Sequence, residues 1–519
     1  MTLTLPKQRT ERSLLLVLLS FSLLMVLYLV LRFAADWTGH DTVAMANIIS
    51  NVYSQGTLVP AGEAYTLGMN PQAVSVMLIH LTGVPLEGLV QRALPLLLMV
   101  DVLVAYVAYR TLTQDRWAGL FAASLLAMQP EFLFTTTRGS HEKITWLLTL
   151  LGLFVLARSF MDAGRFARFV VWTAIFYLVA FALITTNAFF ASSLLAALAL
   201  CFLAATALSY LILRKGTEFS RLIYVTASCS ILVYLFMFHL YAPAVEAFND
   251  LRPTIDRIAA LLFGVEVPFS TAAATGHVAS GWATGSVYLA LSAATYVLTL
   301  ISFVYWLVLA WRLWKGRLRG SPHFLLWLLY TAFAFQMALS VGAAGLGLLA
   351  SNLQVRLFPV FMLLVMPLAA LGLQEGARCI RARRQHAVLA VLALLFAGTA
   401  GAAAFKATNE PLLSNTWTFR VRNEQLSVEW VDEYTRYGDV WLGTDRLRYT
   451  AGGYEDPLRH RYDIYGVDEF TRYALVSRFE ETRMLRMGIP QPALGQENQV
   501  YDNGTARAYH FRPRTPYQR

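Results

Sequence analysis

Long apolar blocks recur along this 519-residue chain, and they constrain its fold more than any other feature. Each block is about 20 residues long, which is the length that an α-helix needs to cross a bilayer. The sequence therefore predicts a polytopic α-helical membrane protein with about eleven spans, the first of them uncleaved. The blocks lie near 13–31, 87–109, 117–134, 144–158, 168–186, 189–213, 221–241, 287–311, 324–346, 353–373 and 386–405.

The composition supports this class and excludes others. Hydrophobic residues make up 57% of the chain and charged residues 14%, whereas about a quarter of a soluble domain is charged. A soluble enzyme, a coiled coil and a disordered chain are thereby excluded. The net charge of +10 resides in residues 1–405, because 406–519 holds 16 basic and 16 acidic side chains. This distribution is typical of topology signals, and we expect no nucleic-acid partner. The three cysteines show no spacing for a disulfide framework or a metal site.

Lysine and arginine predict the orientation. With a cytoplasmic N-terminus, the inner segments hold 19 of these residues and the outer loops between spans hold four, Arg138, Lys143, Arg252 and Arg257. We therefore expect an integral plasma-membrane protein with a transmembrane domain over 1–405, whose first outer loop covers about 34–85. Eleven spans then place an exported C-terminal domain at 406–519, where turn signals and short aromatic runs predict a small α/β or β-rich fold.

The first outer loop carries Asp36 and Asp41 but no lysine or arginine. An amphipathic run over 43–53 follows, and a short apolar piece over 73–81 is predicted to lie on the membrane surface or partly re-enter it. A carboxylate held just above the membrane suits a base that takes a proton from an acceptor. Asp41 also suits the N-cap of a helix that starts at Thr42, and the two roles are compatible.

The second outer loop ends in His141-Glu142-Lys143, where a helix enters the membrane. Ionisable side chains are costly there unless they are paired or functional. His141 and Glu142, together with Asp41, are candidate ligands for a divalent metal such as Mg²⁺ or Mn²⁺. The alternative is an ion pair between Glu142 and either Lys143 or Arg138.

Two further charged residues lie in the apolar blocks. Arg356 opens the tenth span at its outer end, where a guanidinium suits a bidentate hold on phosphate oxygens. Its alternative role is snorkelling to ordinary lipid headgroups. Asp101 lies in the middle of the second span without a partner nearby in sequence, so it lines a cavity or bonds to another helix, and we assign it no catalytic role.

This arrangement resembles the GT-C superfamily of integral-membrane glycosyltransferases, which use polyprenyl- or dolichyl-phosphate-linked sugars. Asp41 stands where the family keeps a catalytic first-loop aspartate. Gly139-Ser140-His141-Glu142 looks like the second-loop segment, which in oligosaccharyltransferase catalytic subunits reads Gly-Ser-x-Asp-x-Glu. Val355-Arg356-Leu357 with Pro359 looks like the arginine-bearing late span, and 500–509 is similar to a strand pair that ends many prokaryotic members.

The chain also departs from that family. The second acidic position of the second-loop segment falls on Ile144. The Trp-Trp-Asp-Tyr-Gly signature of oligosaccharyltransferases is missing, and Trp430-Val431-Asp432-Glu433-Tyr434 does not match it. The resemblance therefore favours a general lipid-linked sugar transferase over an enzyme that glycosylates Asn sequons.

The resemblance implies transfer of a sugar from a polyprenyl-phosphate donor to a glycan, lipid or protein acceptor on the exported face. Asp41 and Glu142 would be catalytic, and Arg356 with Arg138 and Lys143 would bind the donor phosphate. Two rivals remain at this point. A transporter or lipid flippase predicts paired repeats with midplane charges, of which only Asp101 fits. A non-catalytic membrane scaffold with an exported binding tail needs no convergent site.

Overall fold

A computed structural model gives the architecture of the chain. Wherever the structure describes the chain, the long apolar blocks are helices and the C-terminal segment combines helix and strand. The described residues are 8–33, 40–58, 69–137, 141–162, 164–208, 285–318, 321–345, 353–378, 397–403, 422–435, 440–442, 472–478 and 494–511. The predicted span over 221–241 and most of the one over 386–405 lie outside these residues.

Fifteen helices carry labels, numbered in chain order. They are α1 Gln8–Phe33, α2 His40–Gln55, α3 Asn70–Thr82, α4 Leu86–Gly88, α5 Leu97–Thr113, α6 Arg116–Ala127, α7 Pro130–Thr137, α8 Glu142–Met161, α9 Phe166–Thr186, α10 Ala188–Leu208, α11 Gly285–Trp314, α12 Pro322–Gly345, α13 Leu353–Arg378, α14 397–403 and α15 Arg422–Tyr434. A π turn, Leu89–Ala93, and a 3₁₀ turn, Leu94–Leu96, lead from α4 into α5.

Within the described residues, seven helices are long and apolar enough to cross a membrane, or eight if a bent pair counts as one span. This confirms a polytopic helical membrane protein. The total of eleven spans stays a prediction. The short turn at 185–187 does separate two spans, because α9 ends at Thr186, the extended Asn187 forms the link, and α10 begins at Ala188.

The predicted span over 117–134 is a bent pair of helices rather than one continuous helix. The helix breaks after Ala127, and α7 begins at Pro130 with its axis turned by 68° from that of α6. Proline disfavours helical backbone in the residue before it and lacks an N–H group, so it starts a helix more readily than it continues one. The bend therefore follows from Gln129-Pro130.

Charged and polar contacts gather at one end of the bundle, here called the basic end. Arg312 binds Glu375 at 2.7 Å, which joins the ends of α11 and α13. Gln374 donates to Asp115 at 2.9 Å, which joins α13 to the link between α5 and α6. His323 lies 2.9 Å from the carbonyl oxygen of Thr113. The positive-inside rule predicts that this end faces the cytoplasm, and the orientation stays a prediction.

Asp115 is a carboxylate of the basic end that lies outside the spans and makes several of these contacts. Burial acts to raise the pKa of Asp115, but other contacts outweigh it and lower the pKa below its ordinary value. They are a hydrogen bond from Gln374, hydrogen bonds from the backbone N–H groups of Ala118 and Trp117, and the charge of Arg378. Asp115 is thus the N-cap of α6 and at the same time its tie to α13.

The first-loop segments form two helices that pack on each other. Met45 and Ile49 of α2 lie in one buried cluster with Val76 and Ile79 of α3. Tyr53 stacks on His80 with the ring centroids 4.8 Å apart. At 13 residues, α3 is too short to cross the bilayer, as its sequence predicts.

The C-terminal segment contains a four-stranded sheet in the order β1-β2-β4-β3, with β1 Val440–Leu442, β2 Tyr473–Ser477, β3 Asn498–Asp502 and β4 Ala506–His510. β1 and β2 are parallel, and the other two pairings are antiparallel. Gly504 has φ +85° in the hairpin turn, a backbone conformation that favours glycine. Val428 and Val431 of α15 share a buried cluster with Leu475 on the sheet. Its separation as an exported domain over 406–519 stays a prediction.

Candidate functional site

A polar cluster lies at the end of the bundle opposite the basic end, around the start of α8. His141 precedes α8 and is half-buried, and its Nε2 atom lies 2.9 Å from Nδ2 of Asn187. Asn187 is the single residue that links α9 to α10. The contact therefore ties the second outer loop to the turn between two other spans.

The backbone fixes the direction of this contact. The N–H group of Phe190 donates to Oδ1 of Asn187 at 3.2 Å, which leaves the amide nitrogen facing His141. An amide nitrogen only donates, so Nε2 of His141 is the acceptor in this contact.

A second contact brings the first outer loop to the same turn. Nδ2 of Asn70, the first residue of α3, donates to Oγ1 of Thr186 at 2.8 Å. Thr186 neighbours Asn187, so the first-loop helices, the end of α9 and His141 are joined by two consecutive residues. Helix α3 is thereby anchored next to the second-loop segment.

The helix entrance below His141 is held by buried polar groups. Trp146 donates from Nε1 to Oγ1 of Thr135 at 2.8 Å, which joins α8 to α7. Lys143 is completely buried and interacts electrostatically with Asp101 of α5, which is also completely buried. Both carboxylate oxygens of Asp101 are buried without a hydrogen bond. Asp101, buried as its sequence predicts, thus faces a cation from another helix.

The other predicted site residues are placed by their helices. Asp41 lies in the first turn of α2, which begins at His40, so the predicted N-cap position before Thr42 does not match these bounds. Arg356 lies in the first turns of α13. α13 ends at the basic end, so Arg356 lies toward the opposite end, as do Glu142 and His141. The side-chain contacts of Asp41 and Arg356, and all of Asp36 and Arg138, lie outside the described residues.

The predicted metal site gains no support from the described side chains. Across the ranges that the structure describes, no group of three His, Cys, Asp or Glu residues is arranged to hold a metal ion. Nε2 of His141 accepts from Asn187, so this nitrogen is engaged in a hydrogen bond in this arrangement. His141 and Glu142 do not by themselves form a site for Mg²⁺ or Mn²⁺, and we derive no step through a metal.

Two residues of the cluster, Asn187 and Asn70, are absent from the sequence-based candidates. Their partners are 46 and 116 residues away in the chain, so spacing alone does not reveal them. Their location could have marked them as candidates, because each is an asparagine at the boundary of an apolar segment. A side-chain amide at such a boundary either caps a helix or bonds to another segment, and Asn187 does both.

Comparison with solved structures identifies the fold. The oligosaccharyltransferase of Archaeoglobus fulgidus in its apo form aligns with 93% of this chain and 71% of its own, with a TM-score of 0.59 and 14% identity. The archaeal oligosaccharyltransferase AglB from Archaeoglobus fulgidus, in complex with an inhibitory peptide and a dolichol-phosphate, aligns with 92% of this chain and 71% of its own, with a TM-score of 0.58 and 14% identity. ArnT from Cupriavidus metallidurans in the apo state aligns with 95% of this chain and 97% of its own at 15% identity and a TM-score of 0.48.

The two alignments with TM-scores above 0.5 confirm the predicted GT-C-like fold. No family model matches the sequence, and no curated protein matches it significantly. At 14% identity the likeness establishes the architecture, and activity has to be argued from the site.

Proposed function

We propose that this chain is a GT-C-type membrane glycosyltransferase. It moves a sugar from a polyprenyl-phosphate donor to an acceptor at the end of the bundle opposite the basic end. The observation that carries the proposal is the fold shared with AglB over 92% of this chain, because that enzyme has been captured with a dolichol-phosphate and an inhibitory peptide. The predicted orientation puts this end on the exported face.

The polar cluster supports the proposal. The first-loop helices, the second-loop segment and the start of α13 belong to the same end of the bundle, and two hydrogen bonds hold the first two together through Thr186 and Asn187. An inverting transfer needs a base and a phosphate-binding cation on opposite sides of the sugar. Asp41 and Arg356 come from different helices and suit these two positions.

The proposed transfer is a displacement at the anomeric carbon of the donor sugar. The acceptor hydroxyl oxygen attacks the anomeric carbon and forms the new carbon–oxygen bond, while its proton passes to the carboxylate of Asp41. The bond from the anomeric carbon to the phosphate oxygen breaks, and polyprenyl phosphate leaves with the electron pair. A positioned carboxylate base typically contributes about 10²–10⁴-fold. Cations at the leaving phosphate stabilise the charge that develops there.

The remaining site residues take supporting roles in this proposal. Arg356 and Arg138 hold the donor phosphate, and Glu142 orients the acceptor beside His141. The phosphate-binding role predicted for Lys143 stays a prediction. Because Lys143 is completely buried beside Asp101, we expect it to act mainly by fixing the entrance of α8. A divalent metal likewise stays a prediction, and the assay below includes a chelator for that reason.

The acceptor class follows from the sequence rather than from the fold. The oligosaccharyltransferase of Archaeoglobus fulgidus has been captured tethered to an acceptor peptide that contains the NVT sequon. This chain lacks the Trp-Trp-Asp-Tyr-Gly signature of oligosaccharyltransferases. We therefore favour a glycan, lipid or protein hydroxyl as the acceptor over the amide of an Asn sequon.

The test uses the full-length protein in proteoliposomes with radiolabelled polyprenyl-phosphate sugars, with and without a chelator. We expect Asp41→Asn to lower transfer by about 100-fold or more, with unchanged expression and membrane insertion. Asp36→Asn is the matched control, because it makes the same change five residues earlier in the same loop. Near-normal turnover in Asp41→Asn refutes the assignment of the base. Wild-type protein that transfers none of the sugars contradicts the function itself.

A further inference from the structure

A cavity of about 570 Å³ opens at the basic end, far from the polar cluster around His141. It lies between the last turns of α5, the first residue of α6 and the last turn of α8. Three arginines line it, Arg110, Arg116 and Arg158, with Gln114 and Thr111 as further polar groups. Within the described part of the chain, no acidic side chain lines this cavity.

The arginines are held at the cavity by contacts with neighbouring rings. Nη1 of Arg110 donates to the hydroxyl of Tyr106 at 3.3 Å. The guanidinium of Arg158 lies 5.4 Å from the ring centroid of Trp172. Cation–π contacts of this kind orient a guanidinium without neutralising its charge. These contacts partly order the arginines before any ligand enters.

Asp115 and Asp162, two carboxylates of the basic end, are each shared among several partners. Asp115 accepts from Gln374 and lies 3.5 Å from Arg378. Asp162 lies 3.6 Å from Arg158. Arg165 and Arg168 approach the same carboxylate at 3.9 Å each. One carboxylate shared among three arginines leaves an excess of positive charge beside the cavity.

An apolar stripe leads from the membrane interior to this cavity. Val100, Leu103 and Val107 follow one another at helical spacing on α5 and are exposed by 41%, 37% and 42%. Val107 and the exposed Met161 also line the cavity. Because α5 spans the membrane, its exposed apolar face is suited to acyl chains, and the cavity at its end lies at headgroup depth.

We propose that this cavity binds the phosphate of an anionic phospholipid in the leaflet at the basic end, with an acyl chain along the apolar stripe. Arginine clusters at the ends of transmembrane helices recognise phosphate headgroups by charge and by bidentate hydrogen bonds. The apolar stripe argues for a lipid over free phosphate, because inorganic phosphate makes no use of it. The binding is independent of the transfer reaction proposed above.

The experiment measures lipid retention by full-length protein purified in mild detergent, using mass spectrometry after incubation with phosphatidylglycerol or phosphatidylcholine. Wild-type protein is expected to retain phosphatidylglycerol in preference to phosphatidylcholine. Arg110→Gln and Arg116→Gln should each lower its retention about fivefold, and the double variant about 25-fold. Arg317→Gln is the matched control, because Arg317 is an exposed arginine of the same end that does not line the cavity.

Two further measurements test whether the glutamine variants lose lipid by loss of charge and whether the ligand is a lipid or free phosphate. Arg110→Lys and Arg116→Lys keep the charge, so they should retain most of the lipid if the glutamine variants lose it by loss of charge. Millimolar inorganic phosphate should not displace phosphatidylglycerol. Equal retention of both lipids, glutamine variants that bind like wild type, or an equal loss in Arg317→Gln overturns the proposal. Displacement by inorganic phosphate assigns the cavity to the free ion and overturns the lipid.

Discussion

Replacing Gly119 with alanine tests the closest approach between α5 and α6. A Cβ atom at Gly119 would lie 2.7 Å from both Cα and N of Arg110 and 2.9 Å from its Cβ. These atoms belong to the helix itself, so no side chain can rotate away to make room. Carbon atoms pack at about 3.5–4.0 Å, and the two helices must therefore move apart by about 1 Å.

The expected cost follows from two opposing effects. Overpacking of a well-packed interior costs about 1–3 kcal/mol. Alanine recovers up to about 1 kcal/mol, because it is a better helix former than glycine. We expect Gly119→Ala to destabilise the protein by about 1–2 kcal/mol. That cost corresponds to a fall in Tm of about 2 °C or somewhat more, since the shift per kcal/mol decreases with chain length.

Two other glycines of the bundle supply a graded control. At Gly152 an added Cβ would meet Val179 at 3.7 Å, an ordinary contact, so Gly152→Ala should be neutral or stabilising. At Gly372 the nearest atom would be a side-chain methyl of Ile301 at 3.1 Å, which predicts an intermediate result. The assay is thermal unfolding of the three purified variants in one detergent at one scan rate. A Tm for Gly119→Ala equal to that of Gly152→Ala would refute the packing argument.

Three other predictions concern single contacts. Asn187→Ala should destabilise the protein by about 1 kcal/mol through loss of the cap of α10, and it should also lower the rate of the proposed sugar transfer. Asn187→Ser should restore thermal stability, because serine also caps a helix, but it should not restore transfer, because serine cannot reach His141. The lowered pKa of Asp115 means that its contribution to stability is complete above the unfolded pKa of about 4 and is lost as the pH falls through the lowered value. The Tm gap between wild type and Asp115→Asn should therefore close in acid, and a gap that persists there contradicts the assignment. Lys143→Met should destabilise the protein by about 0.5–3 kcal/mol, because Lys143 is completely buried and interacts electrostatically with Asp101. Asp101→Leu in the same chain should recover part of that loss in thermal unfolding.

The positions of the spans could be predicted because the bilayer acts on the sequence locally. Each apolar block whose residues the structure describes contains a helix, and the polar link at 185–187 separates two of them as expected. Hydropathy over 117–134 stays high across Gln129-Pro130, so the length of the apolar block does not show the bend there. Proline changes the direction of the backbone without changing the polarity of a segment, so a search for apolar length does not detect it.

The site could be predicted only in part. His141, Glu142 and Lys143 attract attention because ionisable groups at a membrane entrance need a reason. The sequence does not show that Lys143 faces Asp101, 42 positions earlier, because that contact depends on how α5 and α8 pack. The same holds for Asn187 and its contact with His141. Neutral amides carry no hydropathy or charge signal that distinguishes a positioning residue from an ordinary helix cap.

The two ends of the bundle hold their helices together by different chemistry. At the basic end, arginines close on carboxylates, as in the 2.7 Å contact between Arg312 and Glu375. At the opposite end, the described bonds that join the first-loop helices and His141 to the turn at 186–187 are made by side-chain amides, as in the contact of His141 with Asn187. A hydrogen bond made by an amide fixes the position of a helix without pairing a charged side chain. A site that must bind an anion and release it is better built on such a framework than on ion pairs that compete with the ligand.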